Sequence, residues 1–432
     1  MAKKVTYNVI KITDNSTTNY AYGGTPKPDK VTITGQFNTF YAKGGNDIID
    51  IKKGATLTAY GEKGNDTITV AAKAKNAKIY GGAGVDVLTI NGNGNSGSSA
   101  FGGAGNDKIY IKGGSFNYAY GEAGNDNIYV TGGSYQFIEG GKGNDSIYIN
   151  KGSKNNIDIR GDAGADTIRI NAGNKHSVDG GDGKYVDKIY INAGKEHYVH
   201  AGSGNDQIFI QEKAVSGIKV RGDSGTNTIK VTAGKTHTIY GGTGVDKITI
   251  GGTAKNVTVY GDVDKYGDIV DEGAHGNDII TVTGGTGATI DGGLGRDKVT
   301  IKGGTGHTVD AYGDDVTVTK GSCNINMYKE TGSVSLTGGT STLKLMNTQN
   351  INFTVTAANG TVAGNRLYVD ENEYTFRNNK LAQVGNNLTI SGYSGNTFLT
   401  VKGFFSSGAF ANGIQLNGTT WDFDRVKTEA NK

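Results

Sequence analysis

Apolar residues in this chain are few but strictly phased. Thirteen times a Gly-rich turn ending in Asp, or once Asn, is followed two and four residues later by Ile, Val or Leu. Asp66 leads to Ile68 and Val70, Asp107 to Ile109 and Ile111, and Asp297 to Val299 and Ile301, with polar residues between. That alternation is the two-residue period of a half-buried strand. A second apolar position recurs two residues before the next turn, at Ile79, Ala119, Ile138, Ile159, Val178, Val199, Val220, Ile239, Val259, Ile290 and Val309. Each repeat of about 20 residues therefore holds two short strands and two turns. In residues 61–80 the first strand is Thr67–Val70, the far turn is the polar stretch Lys73–Asn76, and the second strand ends at Ile79 and Tyr80. Units of this size stack, each strand pairing in parallel with its copy about 4.8 Å away. The prediction is all-β: a parallel β-roll, or β-helix solenoid, of about 13 coils.

Composition agrees. Glycine supplies 72 of 432 residues without a three-residue period, and the phased apolar positions argue against a disordered Gly-rich chain. The net charge of +3, with lysines dispersed, gives no reason to expect nucleic acid. Cys323 is the single cysteine, so no intramolecular disulfide can form. No apolar stretch reaches the ~20 residues of a membrane span. Met1–Val5 opens without an apolar run, which points to retention in the cytosol or to export by a route that does not read the N-terminus.

The turn acids carry the chemistry. Asp47, Asp66, Asp86, Asp107, Asp126, Asp145, Asp166, Asp187, Asp206, Asp246, Asp278 and Asp297, with Asn227 in the remaining copy, occupy one place in every coil. Stacking makes them a column of negative charge that needs cations. The ligands on offer are carboxylates and glycine-exposed carbonyls, and no His or Cys recurs with them. Such an all-oxygen, flexible set favours Ca²⁺ over Mg²⁺ and Zn²⁺. The plainer alternative, a side-chain-to-backbone turn bond, explains one Asp-Gly turn better than twelve in register. Each coil buries only three or four medium apolar side chains, so the roll is expected to fold only with the ion present.

Residues 102–110 (Gly-Gly-Ala-Gly-Asn-Asp-Lys-Ile-Tyr) and 140–148 (Gly-Gly-Lys-Gly-Asn-Asp-Ser-Ile-Tyr) resemble the nonapeptide of RTX (repeat-in-toxin, haemolysin-type) proteins, a likeness that extends over about residues 42–310. The resemblance implies calcium shared by Asp side chains of adjacent coils. The motif occurs once per coil rather than on both edges, so calcium is expected along one edge. Asn227, which adds no charge, and the insertions at Lys184-Tyr185 and between Asp262 and Asn277 are its weak points. The segment Thr400–Phe405, followed by Ile414-Gln415-Leu416-Asn417-Gly418-Thr419-Thr420-Trp421, is similar to the post-repeat segment of that family, which implies a cap and a type I exporter as partner. Four regions result: residues 1–41 as cap and first coil, 42–310 as calcium-binding roll, 311–360 as metal-free extension, and 361–432 as β-rich cap and secretion segment.

There is no His-Glu-x-x-His, no Gly-x-Ser-x-Gly and no visible helix to carry one, so an enzyme is not expected. His176, His197, His237 and His307 lie four residues before a coil boundary, where a corner role outweighs a zinc site made by His176, His197 and His200. Arg160-Gly161-Asp162 and Arg221-Gly222-Asp223 read as exposed strand-end arginines preceding coil starts. Tyr110, Tyr129, Tyr148, Tyr190 and Phe209 share one outward position, interrupted by Arg169, and Tyr80, Tyr120, Tyr240 and Tyr260 share another. They suit exposed strands, or a glycan or neighbouring molecule. The coils also resemble the ice-binding regions of giant marine bacterial adhesins. Yet the third turn position holds Lys63, Ala83, Ala104, Ala123, Lys142 and Ala163, with Thr only at Thr243, so the Thr column of those surfaces is missing. The reading is a secreted or cell-surface bacterial calcium-binding structural or adhesive roll; the alternatives are a secretion and folding module beside a catalytic partner, or an ice- or glycan-binding module.

Overall fold

The computed structural model describes residues 7–14, 20–262, 276–328, 330–346, 351–357, 365–369, 380–384, 386–391, 397–402, 404, 410, 414–416 and 419–431. It divides into an N-terminal unit (residues 1–209 with 214–219) and a C-terminal unit (210–213 with 220–432). Each is a parallel β-solenoid, as the periodicity requires.

In the N-terminal unit one sheet stacks Asp29–Ile33, Ile48–Ala55, Thr67–Lys75, Val87–Asn95, Lys108–Ser115 and Asn127–Val130 in parallel, and continues in the same way to Lys188–Ile191. The second stacks Tyr20–Gly23, Asn38–Tyr41, Thr58–Lys63, Lys78–Ala83, Ser99–Ala104 and Tyr118–Ala123, continuing to Tyr198–His200. Ile68, Val70, Ile79, Leu88 and Ile90 are fully buried between the sheets. The early first-sheet strands outrun the expectation. Thr67–Lys75 continues through the polar stretch because inter-coil pairing persists there, Lys53 opposite Lys73 and Gly54 opposite Ala74, after a register shift.

The C-terminal unit repeats the plan from Thr228–Val231 and Thr238–Tyr240 through Ile351–Ala357 and Arg366–Val369. It then closes differently. Lys380–Val384, Asn387–Ser391 and Thr397–Lys402 pair antiparallel, and Ile414–Leu416 folds back on Thr419–Trp421. The sequence showed no helix, yet one spans Phe423–Ala430. Asp422 caps it by accepting the Arg425 N–H at 2.8 Å, and Val426 is buried. Among the described residues no helix is long and apolar enough to cross a membrane. Most of the insertion between Asp262 and Asn277 lies outside the described residues.

Candidate metal centre

All thirteen predicted positions sit at the same inner corner of their coils and are at most 3% exposed. Inter-coil hydrogen bonds tie them together. The backbone N–H of each rung donates to the Oδ1 of the next. Asp47 donates to Asp66, Asp66 to Asp86, Asp86 to Asp107, Asp107 to Asp126 and Asp126 to Asp145, all at 2.7 Å. The series continues through Asp166, Asp187 and Asp206 at 2.7–2.8 Å. In the C-terminal unit Asn227 donates to Asp246, Asp246 to Asp278 and Asp278 to Asp297, each at 2.7 Å. The Lys184-Tyr185 insertion and the 32-residue step to Asp278 leave these bonds intact.

One carboxylate oxygen per rung is thus used. The other, Oδ2, is buried and accepts no protein hydrogen bond in Asp47, Asp66, Asp86, Asp107, Asp126, Asp145, Asp166, Asp246, Asp278 and Asp297. In eight of them, from Asp66 to Asp166 and in Asp246 and Asp278, Oδ2 shares the space beside a turn glycine with the backbone carbonyl of another glycine. A Cβ built on Gly102 would lie 2.6 Å from both Asp107 Oδ2 and the Gly121 carbonyl, and one on Gly140 2.5 Å from Asp145 Oδ2 and 2.7 Å from the Gly161 carbonyl. Position-one glycine keeps any side chain out of this oxygen-lined space, except in the turns of Asp47 and Asp206, which begin at Ala42 and Ala201. Position-four glycine is fixed differently: Gly84 has φ +149° and the Gly64 carbonyl presses on its α-carbon. A buried oxygen left facing oxygens is costly unless something positive lies between them.

Electrostatics agree. Burial, then neighbouring carboxylates, push Asp66 up to about 7 and Asp126 to about 7, despite the backbone N–H that opposes the shift. Asp166 and Asp278 rise to about 8, and Asp297, beside Asp314, is raised too. A fixed divalent cation would reverse this preference for the neutral acid.

Each unit has one further acid at the rung position, Asp29 and the degenerate copy at Asp314, and in both the two carboxylate oxygens have protein donors. Asp29 Oδ2 accepts the Thr25 N–H at 2.7 Å, and its Oδ1 accepts the Thr25 hydroxyl at 3.1 Å. Asp314 Oδ2 accepts from Tyr312 N at 3.3 Å, and its Oδ1 from Asp297 N at 3.2 Å. Asp29 keeps Val31 and Ile33 at the usual offsets, which could have revealed it; Pro26 and Pro28 disguise its turn. Past Asp314 the rung position is Gly332 and then the buried Phe353, whose ring packs on Gly332.

The opposite edge solves the same problem without charge. Ser98 N donates to Asn117 Oδ1 at 3.0 Å, and Asn117 N to Gln136 Oε1 at 2.8 Å. Ile157 N donates to His176 Nδ1 and His176 N to His197 Nδ1, both at 3.1 Å. The second polar atom is here a donor facing carbonyls: Asn117 Nδ2 to Gly113 at 3.0 Å, Gln136 Nε2 to Gly114 at 2.7 Å, and His176 Nε2 to Ala172 and His197 Nε2 to Ala193 at 3.0 Å. These histidines are neutral corner residues, as the spacing suggested. His200 lies instead beside Tyr198 on the outer face, ring centroids 4.6 Å apart, so the three do not form a zinc site. Burial lowers His197 to about 4, with His176 adding to the shift.

The Arg-Gly-Asp segments are not alike: Arg221 is 3% exposed and lies over the Tyr240 ring, which corrects the expectation that it is exposed. The tyrosine rows do form ladders. Tyr41, Tyr60, Tyr80, Phe101 and Tyr120 stack in turn at 4.5–4.9 Å. Tyr110, Tyr129 and Tyr148 stack at 5.0–5.1 Å, and Arg169 covers Tyr190 at 3.8 Å.

No family model matches this chain, and no curated protein matches it. Among solved structures it aligns with a hyperactive, Ca²⁺-dependent, β-helical antifreeze protein from an Antarctic bacterium. That alignment covers 96% of this chain and 94% of the other at 17% identity, with a TM-score of 0.32.

Proposed function

We propose that this chain is a calcium-folded structural roll of the RTX type, exported and acting on or near a bacterial surface rather than as an enzyme. One observation carries the calcium reading: ten buried Oδ2 atoms, seven in the N-terminal unit and three in the C-terminal one, have no hydrogen-bond donor, and eight of them lie beside a backbone carbonyl. Calcium, when bound, supplies the positive charge that such an all-oxygen lining lacks. The chain's own part is to hold the carboxylates rigidly through the N–H to Oδ1 ladder, and to keep side chains away through position-one glycine.

The aromatic ladders favour a structural over a glycan-binding face. Rings 4.5–5.1 Å apart cover one another's faces, and those faces are what a sugar would stack on. The ice reading gains nothing from the turn asparagines, since Asn46, Asn65, Asn106 and Asn125 accept the backbone N–H of the following coil at 2.7–2.9 Å.

Circular dichroism during a calcium titration tests the proposal. The calcium-free chain at pH 7.5 is expected to show a much weakened β-sheet spectrum and to gain the full one as calcium is added, with magnesium far less effective. A full β-sheet spectrum in chelator, unchanged by calcium, would refute it.

A further inference from the structure

One rung of the acidic edge is built like the opposite edge. Asn227 is fully buried in the column, and its backbone N–H donates to Asp246 Oδ1 at 2.7 Å, as the acid rungs donate to theirs. Its side chain differs where it matters. Nδ2 donates to the Gly222 carbonyl at 3.0 Å. A Cβ built on Gly222 would lie 2.7 Å from that nitrogen and against the Gly241 carbonyl. The amide nitrogen therefore occupies the place that Oδ2 takes beside Gly102 or Gly140. Oxygen against oxygen has become N–H against oxygen. Asn117 and Gln136 meet the carbonyls of Gly113 and Gly114 in the same way on the edge that needs no ion.

We propose that Asn227 is a metal-free rung, its amide standing in for the divalent cation and excluding one from this position. The inference rests on the calcium reading of the acid rungs. Its physical basis is local. The amide contributes no charge; one of its two N–H groups is spent on the Gly222 carbonyl, and its nitrogen fills the space beside the Gly241 carbonyl. Seating an ion there means breaking the bond to Gly222 and turning Nδ2 away, with only a neutral oxygen to offer in return. The rung is accordingly held with or without calcium, while the acid rungs are held only with it.

Counting bound ions by native mass spectrometry in calcium tests this directly. Asn227→Asp is expected to carry one more calcium per chain than the natural protein. Asp126→Asn, which installs the same amide beside Gly121, is expected to carry one fewer and to keep its β-sheet spectrum. If the natural protein binds calcium and Asn227→Asp gives the same count, the metal-free rung is wrong while the calcium reading stands. If the natural protein binds none, the calcium reading itself fails. Hydrogen exchange on the unaltered chain in chelator gives a check independent of any variant's folding: residues 222–246 should stay more protected than residues 121–145. Equal loss of protection in the two segments would overturn the proposal.

Discussion

Each of the ten acids with a bare Oδ2 is asked to do two things, and only one is finished by the protein. Oδ1 closes an inter-coil hydrogen bond, whereas Oδ2 waits on something positive. Without calcium a proton is the available substitute, which fixes the sign of the pH dependence. The folded-state values of Asp66, Asp86, Asp126 and Asp166 are about 7, 6, 7 and 8, above the ordinary 3.8. A carboxyl raised in the folded state adds no penalty below about 4, and its penalty grows as pH climbs from there to about 8. His197 and His237, lowered to about 4, act oppositely and remove stability as pH falls from 6.5 toward 4. Ten acid rungs outnumber four corner histidines, so the calcium-free protein should gain β-structure as pH drops from 8 to about 5. Circular dichroism in calcium-free buffer checks this; a signal that falls or stays flat over that range would mean the Oδ2 atoms are not the cause of instability.

At the scale of strands and turns, much was legible because one residue type did one job. Alternation at Ile68 and Val70 placed the first sheet, and the repeated Asp placed the corner. The opposite edge was legible only at its recurring histidines. Asn117 and Gln136 perform the same acceptor-plus-donor task as His176 and His197 with different atoms, so the row as a whole carries no single letter. Asp314 was legible as a last degenerate copy of the turn, whereas Asp29 was obscured by Pro26 and Pro28. The helix Phe423–Ala430 was obscured by its brevity, with Asp422 and Val426 as its signals. The outward rows were legible as rows but not as ladders. Tyr80 stacks on Tyr60 at 4.6 Å and on Phe101 at 4.5 Å. Aromatic pairs contribute about 0.5–1.5 kcal/mol each beyond burial, so Tyr80→Ala should lose about 1–3 kcal/mol. Urea unfolding in saturating calcium measures it; a loss below about 0.5 kcal/mol would show that the stack contributes little to the sheet.

Over the whole molecule, a solenoid is stabilised coil by coil through nearest neighbours, so calcium dependence should follow the carboxylates rather than the fold. The segment after Asp314 keeps the parallel register, Asp315 opposite Ser333 and Ser333 opposite Thr354, but carries no acid at the rung. Phe353 fills that place, and Leu336, Leu343, Leu345 and Met327 continue the apolar core of the earlier coils. These coils bury apolar side chains at about 25 cal/mol per Å², and their one buried rung acid, Asp314, already has protein donors on both oxygens, so no carboxylate oxygen is left to neutralise. Residues 311–345 should therefore stay folded when calcium is withdrawn, and residues 42–206 should not. Limited proteolysis with mass-spectrometric mapping reads this directly. In calcium both segments resist cleavage; in chelator, cuts should accumulate between 42 and 206 while 311–345 survives as an intact fragment. If the two segments are cut at the same rate in chelator, the acid column is not what distinguishes them, and the division of the chain into metal-dependent and metal-free coils has to be abandoned.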